Sequence, residues 1–421
     1  MSEPTAIGEE RSPIAGEERS PIAGEERSAI AGEERSPIVD RVSTAASPGE
    51  ERSPIVDRVS TAASLSREEK VRGIIETARA KRGKFRDEHV TMSHGAGGKA
   101  TQSMIEGLFV PAFASETLRA MGDAGAVEVG GARLAMTTDS YVVKPIVFPG
   151  GSIGDLAVNG TVNDLSVAGA RPVALSLSLV LEEGLPAAEL RREVDAIAAA
   201  ARAADVEVVT GDTKVVERGH CDSMYVCTTG IGHVDPRAQL SPAALRPGDR
   251  VIVSGTVGDH GTAIMLARGE FDLSSQIESD TRSLWPAVDA LLSETGPALR
   301  CMRDATRGGV ASVLNELARA SNVAMLIQEA AVPVEPAVAG AAEILGIDPM
   351  YVANEGKMVV FVAPEAADAA LATLRSVRGC ERAAEIGEVR TEPPGMVLVE
   401  TAFGGKRVMD QLVGDPLPRI C

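Results

Sequence analysis

Four aspartates stand beside small or turn-forming residues, each at what reads as the end of a strand. They are Asp139 in MTTDSYVVKP, Asp164 in NGTVNDLSVAGA, Asp212 in VVTGDTKVV and Asp304 in MRDATRGGV. A carboxylate in such a place can hold Mg2+, a hard cation that takes a few carboxylate oxygens and leaves the rest of its shell to phosphate and water. Singly, each is as readily a helix cap or an Asx turn. Together they point to a shared metal–phosphate site. The stretch His94-Gly-Ala-Gly-Gly-Lys99 adds a Gly-rich loop whose N–H groups can approach phosphate, with Lys99 to offset charge. It is neither a Walker A loop nor a dinucleotide fingerprint, and a plain turn explains it equally well. The last residue, Cys421, follows Pro416 and Pro418, which disfavour a helix and extend the chain. A thiol carried there has no core to fill. It can be acylated on one protein and processed in the pocket of another, or it is an incidental exposed cysteine. It does not stand where a prenylation box needs it. His220, Cys221 and Cys227 make no zinc set, and Cys301 and Cys380 read as small buried residues.

These residues need elements to position them. Short β-branched or apolar runs bounded by Gly, Asp or Pro predict strands at Arg133–Thr137, Pro172–Leu181, Glu207–Thr210 and Met224–His233. Leu190, Val194, Ile197 and Ala201 follow helical spacing and predict a helix over Pro186–Ala204. Turn chemistry at Leu245–Asp249 marks a domain boundary. A second block follows, with strands at Arg250–Ser254, Ala324–Gln328, Lys357–Val362 and Met396–Glu400. Its helices are expected at Thr262–Ala267, Gly308–Arg319 and Glu365–Val377. The reading is mixed α/β, with domains at residues 86–240 and 241–402 and a mobile tail over 403–421. Before them, residues 1–85 form a low-complexity extension: GEERSPIA recurs from Gly8, Gly16, Gly24 and Gly32, and RSPIVDRVSTAAS occurs at Arg35–Ser47 and Arg52–Ser64. Eight-residue units with Pro, Gly and a single Ile cannot bury a face, so disorder is expected there, with a short helix at Ser66–Lys81.

Composition excludes several classes. The 421 residues carry a net charge of −18, which opposes broad binding to nucleic-acid phosphates, and 3% aromatic content leaves little for base stacking. No apolar run reaches the roughly 18 residues of a membrane helix. The N-terminus lacks the basic and apolar regions of a signal peptide. Five cysteines without a CxxC pair fit reduced thiols in a cytoplasm.

From about Met92 to Cys421 the chain resembles the HypE family of hydrogenase maturation proteins, carbamoyl dehydratases of the PurM/AIR-synthase-like superfamily. The resemblance rests on SHGAGGK, TTDSYVV, GGSIGDLAVNGTVNDLSVAGARP, VVTGDTKVV, GDHG, RDATRGG, NEGK and the closing PRIC. It implies a PurM-like N-terminal domain, an AIR-synthase-like C-terminal α/β sandwich and a homodimer with ATP near its interface. His94, Gly97, Gly98, Lys99, Asp139, Asn163, Asp164, Asp212 and Thr213 are then the ATP-binding residues, with Asp139, Asp164 and Asp212 on Mg2+. A carbamoyltransferase loads Cys421, and Mg-ATP activates the carboxamide oxygen so that a thiocyanate forms. Cyanide then passes to an iron-bearing maturation scaffold. Glu355 is implied as the base and Lys144 as a positioner beside the thiocarboxamide. The rivals are another ATP-using member of the superfamily (an AIR synthase, a selenophosphate synthetase or a thiamine-phosphate kinase) and a non-catalytic scaffold that only presents its tail. None of those enzymes has a use for Cys421, and a scaffold has none for the aspartates.

Overall fold

Gly130 and Gly131 have positive φ and close a two-residue hairpin, so the chain enters its first sheet by the tightest turn available. The computed structural model describes residues 85–269, 276–414 and 420–421; the repeats and the helix expected at Ser66–Lys81 lie outside the described residues. That first hairpin is β1 (Gly125–Val129) with β2 (Ala132–Tyr141). A small hairpin follows, β3 (Val147–Phe148) with β4 (Gly151–Ser152). Then come β5 (Ala170–Glu182), β6 (Glu207–Val216) and β7 (Met224–Val234). The sheet runs β1-β2-β7-β5-β6. Helices α1 (Ile153–Val167) and α2 (Ala187–Ala203) back it.

The second sheet is built from β8 (Arg250–Val253), β9 (Leu299–Asp304), β10 (Ala324–Gln328), β11 (Met358–Val362), β12 (Ala384–Arg390), β13 (Met396–Glu400) and β14 (Lys406–Met409). Its order is β14-β13-β10-β12-β8-β11-β9. Between these strands run α3 (Asp259–Ala267), α4 (Trp285–Thr295), α5 (Gly309–Ala320), α6 (Pro336–Leu345) and α7 (Ala367–Ser376). β11 is buried at every position, as a continuous apolar run in a sheet covered on both faces requires. The described residues thus form two mixed α/β blocks, the fold class expected from the sequence. The expected tail boundary at 403 is corrected, because Lys406–Met409 pairs with β13 as an edge strand.

Helix α1 joins the two blocks. Every residue in it is buried except Asp155 and Asp164. Asp155 caps the helix, accepting the Ser152 N–H at 2.9 Å. A helix buried nearly all round carries no 3.6-residue stripe, and Asn159, Gly160 and Asn163 break its propensity, so periodicity does not reveal it. Asp164 therefore lies in the last turn of a helix rather than at a strand end. Asp139 falls two residues before the end of β2, Asp212 in the middle of β6, and only Asp304 ends a strand. Behind α1, one apolar cluster runs from Tyr141, Ile153 and Leu156 to Ile264, Val352 and Ile420.

Gly160 is fixed by this packing, since a Cβ there would run into the Tyr141 hydroxyl. Gly160→Ala gains about 1 kcal/mol of helix propensity, but overpacking costs roughly 1–3 kcal/mol. We expect the second effect to win, lowering the urea midpoint of unfolding. Adding Tyr141→Phe should recover part of the loss; no recovery would place the strain elsewhere.

Candidate active site

The acids converge from four elements. Asp304 ends β9, Asp164 projects from the last turn of α1, Asp139 lies in β2, and Asp123 sits in the loop before β1. Carboxylate oxygens of Asp123, Asp164 and Asp304 all lie within 4.8 Å of one another. Thr137, on the face of β2 that meets α1, donates to Asp164 Oδ2 at 2.7 Å. Arg303 Nε donates to Asp123 Oδ1 at 2.7 Å, and its Nη1 to Glu316 at 3.0 Å. Tyr141 donates to Asp139 Oδ2 at 3.2 Å.

The electrostatics follow from crowding like charges away from water. Burial pushes the Asp164 carboxyl well above the usual range, and the charges of Asp139, Asp304 and Asp123 push it the same way. Asp304 is raised for the same reasons, burial first and then Asp123 and Asp139. Burial also raises Asp139, against the pull of Arg307. Glu355, 3% exposed, is raised well above normal by burial and then by Asp304, Asp280 and Asp139; Arg307 opposes them. Its Oε1 is buried with no hydrogen-bond partner among the described residues.

Two cavities meet at Arg307. A groove of about 1150 Å3 is lined by Gly97, Gly98, Asp123, Thr137, Asp304 and Arg307, among others. A smaller cavity of about 370 Å3 is lined by Ser140, Val142, Arg307, Tyr351, Ile420 and Cys421. The largest influence on Arg307 is negative charge at Cys421, which raises its pKa despite burial. Val142 N–H donates to the Cys421 main-chain oxygen at 3.2 Å, which holds this residue beside the end of β2.

The other expected residues divide. Gly97 and Gly98 line the groove: a Cβ on Gly97 would press on Arg307, and one on Gly98 would meet the Leu412 carbonyl at 2.5 Å. Lys99 pairs with Asp410 at 2.6 Å and is tied to the second sheet's edge instead of the groove. His94 caps its own turn with Thr91 and reaches Asp87 at 3.0 Å. Asn163 uses its amide on backbone, donating to the Arg282 and Glu355 carbonyls and accepting the Leu284 N–H, and so staples α1 to the second block. Lys144 is 60% exposed and pairs with Asp222 at 2.9 Å. The charges that act most on Glu355 do not include it.

Asp212 does not join the other aspartates within one chain. Asp139 aligns with Thr228, Thr228 with Leu177 and Leu177 with Gly211, so Asp212 is one residue out of line and faces the opposite side of the sheet. Three strand spacings, about 14 Å, separate them as well. Asp212 lies exposed on β6 beside Thr213, and its hydrogen bond with Lys214 lowers its pKa. Within one chain, then, Asp164 is joined by Asp304, one of the four acids read from the sequence, and by Asp123, which was not among them, while Asp212 stands apart. Asp123 sits in the turn MGDAG, with no strand signal before it. Arg307 was within reach, since it lies inside RDATRGG.

The set Asp123, Asp164 and Asp304 suits Mg2+. Its donors are hard carboxylate oxygens without thiolate or imidazole, and burial together with neighbouring negative charge raises the pKa of Asp164 and Asp304, a crowding that a cation would relieve. Among the described residues, no helix is long and apolar enough to cross a membrane.

The family model for AIR synthase related protein, N-terminal domain, matches residues 121–234, and the one for its C-terminal domain matches residues 246–399. Carbamoyl dehydratase HypE of Bradyrhizobium diazoefficiens is 49% identical over 337 residues, which is 80% of this chain and 97% of that protein. A crystal structure of a HypE–HypF complex matches with a TM-score of 0.70 at 43% identity, covering 73% of this chain and 99% of that one. HypE solved in complex with ATP matches at 0.67 and 44% identity, covering 79% and 100%.

Folded-state pKa values raised above the unfolded value of about 4 stabilise the fold at low pH and lose that contribution as pH rises through the folded value. In chelator, Asp304→Asn should therefore gain melting temperature relative to the native chain as pH goes from 5 to 8, by a few degrees. Mg2+ should raise the native melting temperature more at pH 8 than at pH 5. A difference that does not vary with pH would mean that these acids do not share one charge cluster.

Proposed function

On the premise that the chain belongs to the HypE carbamoyl dehydratases, we propose how its residues carry out that reaction. The protein is an ATP-dependent enzyme of hydrogenase maturation. It dehydrates an S-carboxamide on Cys421 to a thiocyanate, the source of the cyanide ligand of a nickel–iron hydrogenase. A carboxamide oxygen is a poor leaving group. Transfer of the γ-phosphoryl of ATP onto it turns it into phosphate, and loss of two N–H protons leaves a C≡N triple bond. ADP and phosphate are the other products, so one water is removed in all.

Nucleotide is assigned to the groove lined by Gly97, Gly98 and Arg307. Asp123, Asp164 and Asp304 are the residues that would hold Mg2+, with Asp139 adjoining. Bound there, Mg2+ supplies positive charge against the phosphates. Arg307, between groove and tail cavity, is given the positioning role expected of Lys144. Glu355 is the base. One observation carries this reading: Glu355 offers a buried, unpartnered carboxylate oxygen in the same field as Asp304, Asp139 and Arg307, while Arg307 also faces Cys421. A raised pKa brings such a carboxylate nearer the working pH, where proton transfer is most efficient.

The partners follow from the same chemistry. The carbamoyltransferase that loads Cys421 corresponds to HypF in the solved HypE–HypF complex. An iron-bearing scaffold is the proposed acceptor of cyanide, in the cytoplasm. We assign a homodimer to the face of the first sheet turned away from α1, where Met136 and its cross-strand neighbour Ile231 are exposed. Asp212 lies on that face, so it reaches nucleotide only across such an interface.

Two variants test the division of roles. Asp164→Asn should cut ATP-dependent thiocyanate formation by about 100-fold or more and weaken Mg-ATP binding with it. Glu355→Gln should cut turnover by about 100-fold or more while leaving ATP affinity within about threefold, because an amide accepts no proton from the substrate. Equal loss of nucleotide affinity in both, measured by calorimetry on the carbamoylated protein, would contradict the assignment.

A further inference from the structure

His260, in the first turn of α3, is fully buried and has no part in the scheme above. Its Nε2 lies 3.0 Å from the Ile420 carbonyl oxygen. A carbonyl only accepts, so Nε2 carries the hydrogen, and Nδ1 accepts from the Ser279 hydroxyl at 2.8 Å. Burial depresses the imidazole pKa, which suits this neutral tautomer. Phe148 packs edge-on against the ring, with centroids 5.6 Å apart, and fixes its plane.

Ile420 is held on its other side by apolar contact. Its side chain is 6% exposed, within the cluster that contains Ile264, Val352 and Ala353. Gly261 leaves it room, since a Cβ there would meet Val352 and lie 3.4 Å from Ile420 Cδ1. The Val142 N–H on Cys421 adds a backbone contact one residue further along. Two hydrogen bonds and one apolar anchor thus fix the position of residues 420–421, with Cys421 at the wall of the cavity beside Arg307.

The residue after Ser279 reaches the candidate base. Asp280 Oδ1 accepts the Glu355 N–H at 3.0 Å, and its Oδ2 pairs with Lys357 Nζ at 3.0 Å. Consecutive side chains therefore hold the tail's anchor and the backbone of Glu355.

We propose that His260 is the positioning residue for the tail: it docks Ile420 and, through Ser279 and Asp280, sets Cys421 in a fixed relation to Glu355. The link to Glu355 rests on the dehydratase reading above; the docking itself does not.

The test uses the full chain and two readouts. The first is the rate at which a small neutral alkylating reagent, iodoacetamide, modifies Cys421, read by peptide mass with buried Cys301 and Cys380 as internal references. His260→Ala should raise that rate by about tenfold, the effect of one buried hydrogen bond. His260→Gln, which keeps a donor, should rise less. Ile420→Ala alters only the tail side and should also raise it, so the docking is testable even if the His260→Ala chain does not fold. The second readout is ATP-dependent dehydration of carbamoylated protein, where His260→Ala should lower kcat by about tenfold and leave the KM for ATP within about twofold. Unchanged alkylation in both His260→Ala and Ile420→Ala would overturn the docking. Faster alkylation with undiminished kcat would overturn the positioning role. Faster alkylation in variants of a protein whose native form dehydrates nothing would support the docking and count against the dehydratase reading alone.

Discussion

Carboxylates gathered away from water are the condition on which this structure turns. Asp123, Asp164 and Asp304 lie within 4.8 Å of one another, and Asp139 and Glu355 share their field. Two unit charges roughly 5 Å apart repel by about 3 kcal/mol at an effective dielectric near 20, and several such pairs coexist here. The fold answers part of that repulsion with Arg303 on Asp123 and with Arg307 between Asp139 and the charge at Cys421. The remainder raises the pKa of Asp139, Asp164, Asp304 and Glu355, so these carboxyls hold a proton more tightly than free ones do. Such a site accepts cationic charge readily, and phosphates can follow it in.

The architecture serves that cluster. Helix α1 is buried on all sides except where its two acids need room, one to cap its start and one to enter the site. Gly160 lets Tyr141 lie against the helix, and Tyr141 in turn bonds Asp139. Asn163 ties the same turn of helix to the Glu355 backbone. A single helix thereby relates the acids of the first sheet to those of the second. Ile420, next to the thiol, packs into the same apolar cluster as α1, so thiol and acids share one scaffold.

Much of this was legible in the residues. β-branched runs marked the long strands, and Leu190, Val194, Ile197 and Ala201 marked α2, because each buries one face and leaves the other wet. Helix α1 was not legible, since a segment buried all round has no polar face to set a period. β14 was absorbed into the expected tail because Lys406–Met409 is a short, partly exposed edge. Among the candidate site residues, Asp164, Asp304, Glu355 and Cys421 lay in motifs that could be named. Asp123 stood in a bare turn, and its part emerges only when Arg303 and Thr137 are seen beside it. Asp212 has a motif like its fellows, but strand alternation turns it to the other face of the sheet, a separation that the motif does not reveal.

A thiol on a short tail, an activating nucleotide and a buried carboxylate form one sequence of events only if the carboxamide oxygen leaves as phosphate. Heavy oxygen in the carboxamide group decides this most directly. With Cys421 loaded with isotopically labelled carbamoyl and supplied with Mg-ATP, the account predicts one labelled oxygen in the inorganic phosphate for each thiocyanate formed. Label released into water, with phosphate unlabelled, would contradict it.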